Sequence, residues 1–243
     1  SNSRVVVSDT LFANNGDSSA DYGFYSTGGS VITVTNCTFE GNPGWAAWTE
    51  ADDVYRMTGN RFSGNGYDRI RIPAGSTAGV VVWEAQDGLD GYDLSGDVTI
   101  PSGSAVTLEA GAAVMGEGGT ELRVLGHLAA LGTVTNPITF TSSADSGPGG
   151  WAGLVFDGGT GNLEHVTVRY SGDGNTIFGE ASNIAVRNVL TGEVRITSSV
   201  IRDEHDDYSN NTDYGLYASN SRVVVSDTLF ANNGDSSADY GFY

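Results

Sequence analysis

Residues 31–42 read VITVTNCTFEGN, with apolar side chains at Ile32, Val34 and Phe39 and an asparagine, Asn42, three positions after the phenylalanine. The same spacing of +2, +5 and +3 joins Val5, Val7, Phe12 and Asn15, and again Tyr55, Met57, Phe62 and Asn65. Val223, Val225, Phe230 and Asn233 repeat it, and Val194, Ile196 and Ile201 extend it upstream, where Glu204 takes the asparagine position. Short alternating runs of this kind predict strands. The asparagines predict turns, because Asn tolerates a left-handed backbone. An aromatic run lies 16 or 17 residues before each matching phenylalanine: Tyr214 to Tyr217, Tyr22 to Tyr25, and Trp45 to Trp48. The step between equivalent positions is not constant: it shortens from Ile201–Phe230 to Phe12–Phe39 and again to Phe39–Phe62. A constant strand core with linkers of varying length predicts an all-β parallel β-helix. Each coil gives two or three short strands, β-branched side chains stack inside on like residues, and extra length is pushed out as loops such as 14–20.

A second, longer period frames the first. Residues 1–25 recur without change as residues 219–243. Identity of that length predicts one period of a tandem array, in which each unit leans on its neighbours. The expected frame places later coils and a closing junction in residues 1–91 and the opening and middle coils of the next unit in residues 92–243. In a longer array the residue after Tyr243 is then the equivalent of Ser26. Expected partners are adjacent repeats, head to tail, and through the shared slot a homo-oligomer or filament.

Residues 96–172 run through GDVTIPSGSAVTLEAGAAV, LRVLGHLAALG, NPITFTS, GWAGLVF and NLEHVTVRY in that order. This succession resembles the right-handed parallel β-helix repeats of large bacterial and archaeal surface proteins, and the Asn/Phe coils resemble the later coils of that family. The resemblance covers about four-fifths of the unit. It implies a right-handed β-solenoid in an extracellular or cell-surface protein, serving as a fibre, stalk, sheath or adhesin shaft.

Composition narrows the partners. There are 30 acidic residues against 11 basic ones, a net charge of −19, and every basic residue is an arginine. Such a surface repels nucleic acid phosphate and anionic lipid. No run of 18 apolar residues is present, so no membrane insertion is expected. The one cysteine, Cys37, lies in an alternating run and reads as a buried small hydrophobe.

The aromatic pairs Tyr22/Tyr25, Trp45/Trp48 and Tyr214/Tyr217 are the candidate ligand-binding residues: stacked across coils, they would form a ladder for sugar rings or a docking partner. The competing expectation puts the two aromatics of each pair on opposite faces, because strand side chains alternate. The tightest acidic cluster, Asp203, Glu204, His205, Asp206 and Asp207, reads as a solvated loop. Its carboxylates, Asp203, Glu204, Asp206 and Asp207, are the candidate calcium ligands, since calcium takes several oxygens from a flexible loop. Asp87, Asp90 and Asp93 read as junction turn chemistry, and His127 and His165 as rim residues. Parallel β-helices include polysaccharide lyases and hydrolases. Lysine is absent, no arginine sits in a lyase motif, and no carboxylate pair is fixed by spacing for glycoside hydrolysis. A structural repeat is therefore expected, with no catalytic residue and no resident cofactor; a glycan-binding adhesin module is the second reading and a polysaccharide-active enzyme the third.

Overall fold

A computed structural model describes residues 3–173, 181–204, 212–234 and 239–243. The chain is a parallel β-helix. Its long sheets have nine, seven and six strands, and two three-stranded sheets cover the N-terminal coils. Among the described residues pairing is parallel, each strand lying on its equivalent one coil away. The register follows the sequence periodicity: Val5 pairs with Ile32 and Val7 with Val34, Val34 with Met57, and Phe12, Phe39 and Phe62 lie in one row. Ile196 pairs with Val225 and Ile201 with Phe230. Among the described residues the only helical turn is a 3₁₀ turn at Val54–Arg56.

Coil length varies while the strands stay in register. The coil from Ile70 to its partner Tyr92 is short, and that from Val168 to its partner Ile201 is half as long again. The surplus leaves the barrel as loops because the interior admits only the strand core. That interior is one connected cluster from Ile32 to Leu216, in which Ile32, Val34, Phe39, Ile70, Tyr92, Phe140 and Ile196 are fully buried. Each such side chain contributes about 1.5–3 kcal/mol by leaving water. The strand Gly91–Leu94 pairs on one side with Arg69–Ile72 and on the other with Ala113–Gly116, so pairing runs unbroken through residue 92.

Two kinds of row hold the coils together. The rings of Phe12, Phe39 and Phe62 stack at 5.0 and 5.1 Å with planes 6° and 7° apart. Beside them runs an amide ladder. The Asn15 side chain donates to Asn42 Oδ1 (3.1 Å), Asn42 to Asn65 Oδ1 (2.7 Å), and Asn65 to Asp68 Oδ1 (2.5 Å). The backbone N–H groups of Asn15 and Asn42 donate to the same oxygens, and the Asn42 amide also donates to the Phe12 carbonyl at 3.0 Å. Asn42 is wholly buried, and its polar atoms are satisfied. A parallel ladder at the neighbouring turn runs through Asn60 and Gln86: Cys37 N–H donates to Asn60 Oδ1 at 2.9 Å, and the Asn60 amide to Gln86 Oε1 at 2.9 Å. Cys37 itself is buried and unbridged.

The described residues of the duplicated segment fold the same way in both copies. Asp9 and Asp227 both have φ 49°, Asn14 and Asn232 have 53° and 52°, and Gly16 and Gly234 have 90° and 86°. The two copies are covered on opposite sides. Strands Arg4–Ser8, Leu11–Ala13 and Tyr22–Tyr25 carry the following coil on Val31–Thr35, Thr38–Glu40 and Trp45–Trp48. Strands Val223–Ser226, Leu229–Ala231 and Tyr240–Phe242 rest on the preceding coil at Val194–Thr197, Val200–Arg202 and Asp213–Ser219. Their free sides leave partly uncovered the rings that interior coils bury: Phe12 and Phe230 are only partly buried, whereas Phe39 is 0% exposed.

Asn42→Ala removes the acceptor of two donors and is expected to lower stability by about 2–4 kcal/mol, since each buried polar group left unpaired costs roughly 1–3 kcal/mol. Phe39→Ala opens a cavity in the ring stack and is expected to cost about 3–5 kcal/mol. Urea unfolding followed by circular dichroism checks both; an Asn42→Ala loss near zero would show that the ladder carries no net stability.

Candidate binding groove

The aromatic strands Tyr22–Tyr25 and Trp45–Trp48, with Tyr67–Ile72 beyond them, form the N-terminal end of the nine-stranded sheet. Tyr22 pairs with Trp45, Phe24 with Ala47 and Tyr25 with Trp48. Phe24 turns inward against Phe12, 5.7 Å between ring centres. Tyr22 and Tyr25 lie on one side of the strand, their rings 5.3 Å apart. The expectation that residues three apart fall on opposite faces is thus corrected. The register shift here adds a residue to the neighbouring strand Tyr67–Ile72, between Tyr67 and Ile70, and an extra residue breaks the strict alternation of faces in that strand; Tyr22–Tyr25 itself lies on Trp45–Trp48 without a shift. The sequence signal was Gly23, since an isolated glycine in a strand marks a bulge or a close backbone approach. A Cβ there would lie 2.7 Å from the Ala46 carbonyl oxygen.

The outward rings stack along the helix axis. Trp45 lies 4.3 Å from Tyr67, and Tyr25 lies 4.6 Å from Trp48. The Arg71 guanidinium caps Trp45 at 4.3 Å, and that of Arg69 lies 5.6 Å from the Tyr67 ring. Tyr22, Trp45, Tyr67, Arg69, Arg71 and Glu117 line an open groove of about 610 Å³, bordered by the loops at Ser19, Ser143 and Gly150. Arg71 pairs with Glu117 at 2.6 Å. Arg69 reaches Asp93 at 3.0 Å and the Ser143 carbonyl at 2.9 Å. Asp93, fully buried, also accepts from the Ser143 hydroxyl at 2.7 Å. Both arginines and both carboxylates are therefore engaged with one another, and the groove presents flat rings with a polar rim. Burial pushes the Tyr22 phenol above its usual range, against the opposing pull of Arg71. The two arginines and the role of Tyr67 escaped the sequence reading, because no local pattern ties residues 67–71 to Trp45 without the coil register.

One wall of the groove depends on Asp21. Its carboxylate accepts from the backbone N–H groups of Asp17 (2.8 Å) and Ser18 (2.9 Å), which hold it below its ordinary value of 3.8.

Tyr214 and Tyr217 form a second cluster, in the seven-stranded sheet, with rings 5.1 Å apart. Tyr214 stacks on Tyr240 at 6.0 Å and Tyr217 on Tyr243 at 5.8 Å. The structure therefore does not bring Tyr214 and Tyr217 into the groove of Tyr22 and Trp45. Of the candidate calcium ligands, Asp206 and Asp207 lie outside the described residues. Asp203 pairs with Arg202 at 2.7 Å and accepts from Asn232 at 3.1 Å, and Glu204 is fully buried. Among the described residues, no three His, Cys, Asp or Glu side chains gather as a metal site, and no helix is long and apolar enough to cross a membrane. Asp87 faces solvent opposite Arg61 at 3.6 Å, far in character from buried Asp93. His127 Nδ1 contacts the Thr160 hydroxyl at 2.8 Å.

No family model, curated protein sequence or solved structure matches this chain. The resemblance of residues 96–172 to surface-protein repeats rests on its sequence motifs alone.

Trp45→Ala is expected to cost about 3–5 kcal/mol, as for other buried aromatics, and the more exposed Trp48 about 1 kcal/mol; equal losses in chemical unfolding would contradict the two different burials. The Asp21 tether is complete above pH 3.8 and is lost as pH falls through the lower folded value, because the bound form is the carboxylate. Relative to the free-peptide exchange rate at each pH, the protection of the Asp17 and Ser18 amides should fall on acidification and be low at all pH values in Asp21→Asn.

Proposed function

We propose that the chain is a structural repeat of an extended extracellular or cell-surface β-solenoid, a length of fibre, stalk, sheath or adhesin shaft, whose partners are further copies of the unit joined head to tail. The observation that carries this reading is the polarity of the amide ladders. In the C-terminal coils Ser171 donates its hydroxyl hydrogen to Asn183 Oδ1 at 2.9 Å, and the Asn183 amide donates to Asn233 Oδ1 at 3.1 Å. Asn233 is Asn15 in the duplicated segment. Asn15 donates onward to Asn42, Asn42 to Asn65, and Asn65 to Asp68. Overlaying the two copies joins these runs into one chain of donors pointing the same way. A hydroxyl opens it, and a carboxylate, which only accepts, closes it. Two unrelated ends would match neither position nor direction.

A shaft needs length and stiffness, and consecutive coils supply both. Eight steps join the nine strands of the longest sheet, and at about 4.8 Å per step they extend a rod by roughly 40 Å. The carboxylates of the groove are tied to arginines, which favours a binding or structural surface over a hydrolytic pair. Binding of a carbohydrate at the groove is the second reading, favoured by the stacked rings of Trp45 and Tyr67.

A two-unit chain, residues 1–243 followed by a second copy of 26–243, tests the proposal. Small-angle scattering should show a single rod lengthened by roughly 40 Å over the one-unit chain, with one cooperative melting transition. Two compact bodies joined flexibly would overturn it.

A further inference from the structure

We infer that the duplicated segment is an exchangeable coil: the second copy of one chain, residues 219–243, seats on the coil that the first copy, residues 1–25, covers in another, and each copy blocks that assembly while it holds its own place. The partner is a second copy of this chain, and the inference rests on the head-to-tail reading, which it carries from units within a chain to separate molecules. The occupant is identified by the residues already seated there. Arg4–Ser8, Leu11–Ala13 and Tyr22–Tyr25 lie on Val31–Thr35, Thr38–Glu40 and Trp45–Trp48, and every residue of that first copy recurs in order in the second. The second copy is held from its other side, on Val194–Thr197, Val200–Arg202 and Asp213–Ser219. The asparagines show that the two sides belong to one coil. Interior Asn42 donates back to the Phe12 carbonyl at 3.0 Å and forward to Asn65 at 2.7 Å. Asn233 makes the backward bond, to the Ile201 carbonyl at 3.0 Å, and Asn15 the forward one, to Asn42 at 3.1 Å. Seated between two chains, the second copy makes both, and its Phe230 and Tyr243 take the places of Phe12 on Phe39 and of Tyr25 on Trp48.

A joint of this kind leaves no sheet interrupted. The six-stranded sheet, ending at Val223–Ser226, runs on through the place of Arg4–Ser8, and the nine-stranded sheet, ending at Leu229–Ala231, through that of Leu11–Ala13. The seven-stranded sheet, ending at Tyr240–Phe242, becomes the nine-stranded sheet of the next chain through the place of Tyr22–Tyr25. Open strand edges invite such pairing, and an element identical in two molecules exchanges between them at low cost. Two complete chains, in contrast, cannot meet end on. Trp45 pairs with Tyr22, so Gly44 lies over Asp21, and a Cβ at Gly44 would stand 2.2 Å from the Asp21 carbonyl oxygen and 2.9 Å from that of Ser19. The coil that follows a copy must therefore carry glycine at this place. With both copies present, Asp239 of one chain, the equivalent of Asp21, would meet Asp21 of the next. That residue brings a Cβ and a second carboxylate where only glycine fits. The joint forms only when one of the two copies has left, and the contacts it gains are those that the departing copy gives up.

The test uses the full 243-residue chain unchanged, as Phe12→Asp, as Phe230→Asp, and with both substitutions, each checked for β content by circular dichroism. A carboxylate at Phe12 or Phe230 unseats that copy, because both rings pack against the apolar core. Val7→Asp and Val225→Asp, at residues that pair with Val34 and Ile196, form a second set. Analytical ultracentrifugation should find the unchanged chain monomeric. Either single variant has one empty place and one intact copy to fill it, so its mean mass should rise about twofold or more by open head-to-tail association. The double variant has both places empty and no copy to fill them, and should return to monomer. A synthetic peptide of residues 1–25 should also return the single variants to monomer, and a scrambled peptide should not. Single variants that stay monomeric in both sets would overturn the inference. So would a double variant that associates like the singles, since exposed apolar edges would then explain the association. An unchanged chain that associates as readily as the single variants would show that the copies block nothing. Small-angle scattering of the covalent two-unit chain separates the causes. A continuous rod alongside monomeric single variants refutes the exchange and leaves the array standing, and a broken rod refutes both.

Discussion

Every interior side chain of this protein lies one strand spacing, about 4.8 Å, from its equivalent in the next coil. That translation is the constraint on which the rest depends, because a group can occupy a row only if it tolerates a copy of itself at that distance. Aliphatic side chains do so without orientation. Phenylalanines do so by lying nearly parallel, as Phe12, Phe39 and Phe62 do. An amide does so by being donor and acceptor at once, which is why Asn15, Asn42 and Asn65 form a row that ends on the carboxylate of Asp68. Charged groups that repel their own copies are instead paired across rows: Arg69 with Asp93, Arg71 with Glu117.

This constraint explains what the sequence disclosed. Register is a translation by one coil, so matching spacings at Val7, Val34 and Met57 already encoded which residues meet, and the Phe12–Phe39–Phe62 row was legible in the same way, whereas Tyr55 falls in the 3₁₀ turn instead of a strand. The groove was legible only in half. Tyr22, Tyr25, Trp45 and Trp48 stood out as aromatics, yet alternation alone puts residues three apart on opposite faces, and the common face of Tyr22 and Tyr25 shows only in their ring contact. Arg69, Arg71 and Glu117 join the groove from neighbouring coils. Coil length is not fixed in this chain, as the short step from Ile70 to Tyr92 and the long one from Val168 to Ile201 show, so no constant spacing exists from which to infer such a contact. Gln86, which continues the second amide ladder from Asn60, was hidden because a longer side chain stands there in place of asparagine.

Like-on-like stacking has a weakness. It discriminates poorly between coils, since a strand carrying Val and Phe at the right spacing fits almost any other, and slipped pairings compete with the native one. The amide row supplies the missing discrimination, because it has a direction and two distinct ends. Ser171 donates into the C-terminal run, and Asp68 only accepts from the N-terminal one. A coil inserted out of order would set a carboxylate against a carbonyl oxygen, or leave a buried amide hydrogen with no acceptor, at a cost of roughly 1–3 kcal/mol for each such group. In the proposed array the two amide runs join at the duplicated segment, which would concentrate this discrimination where one unit meets the next. The aliphatic rows supply most of the burial, and the few amides determine which coil comes after which.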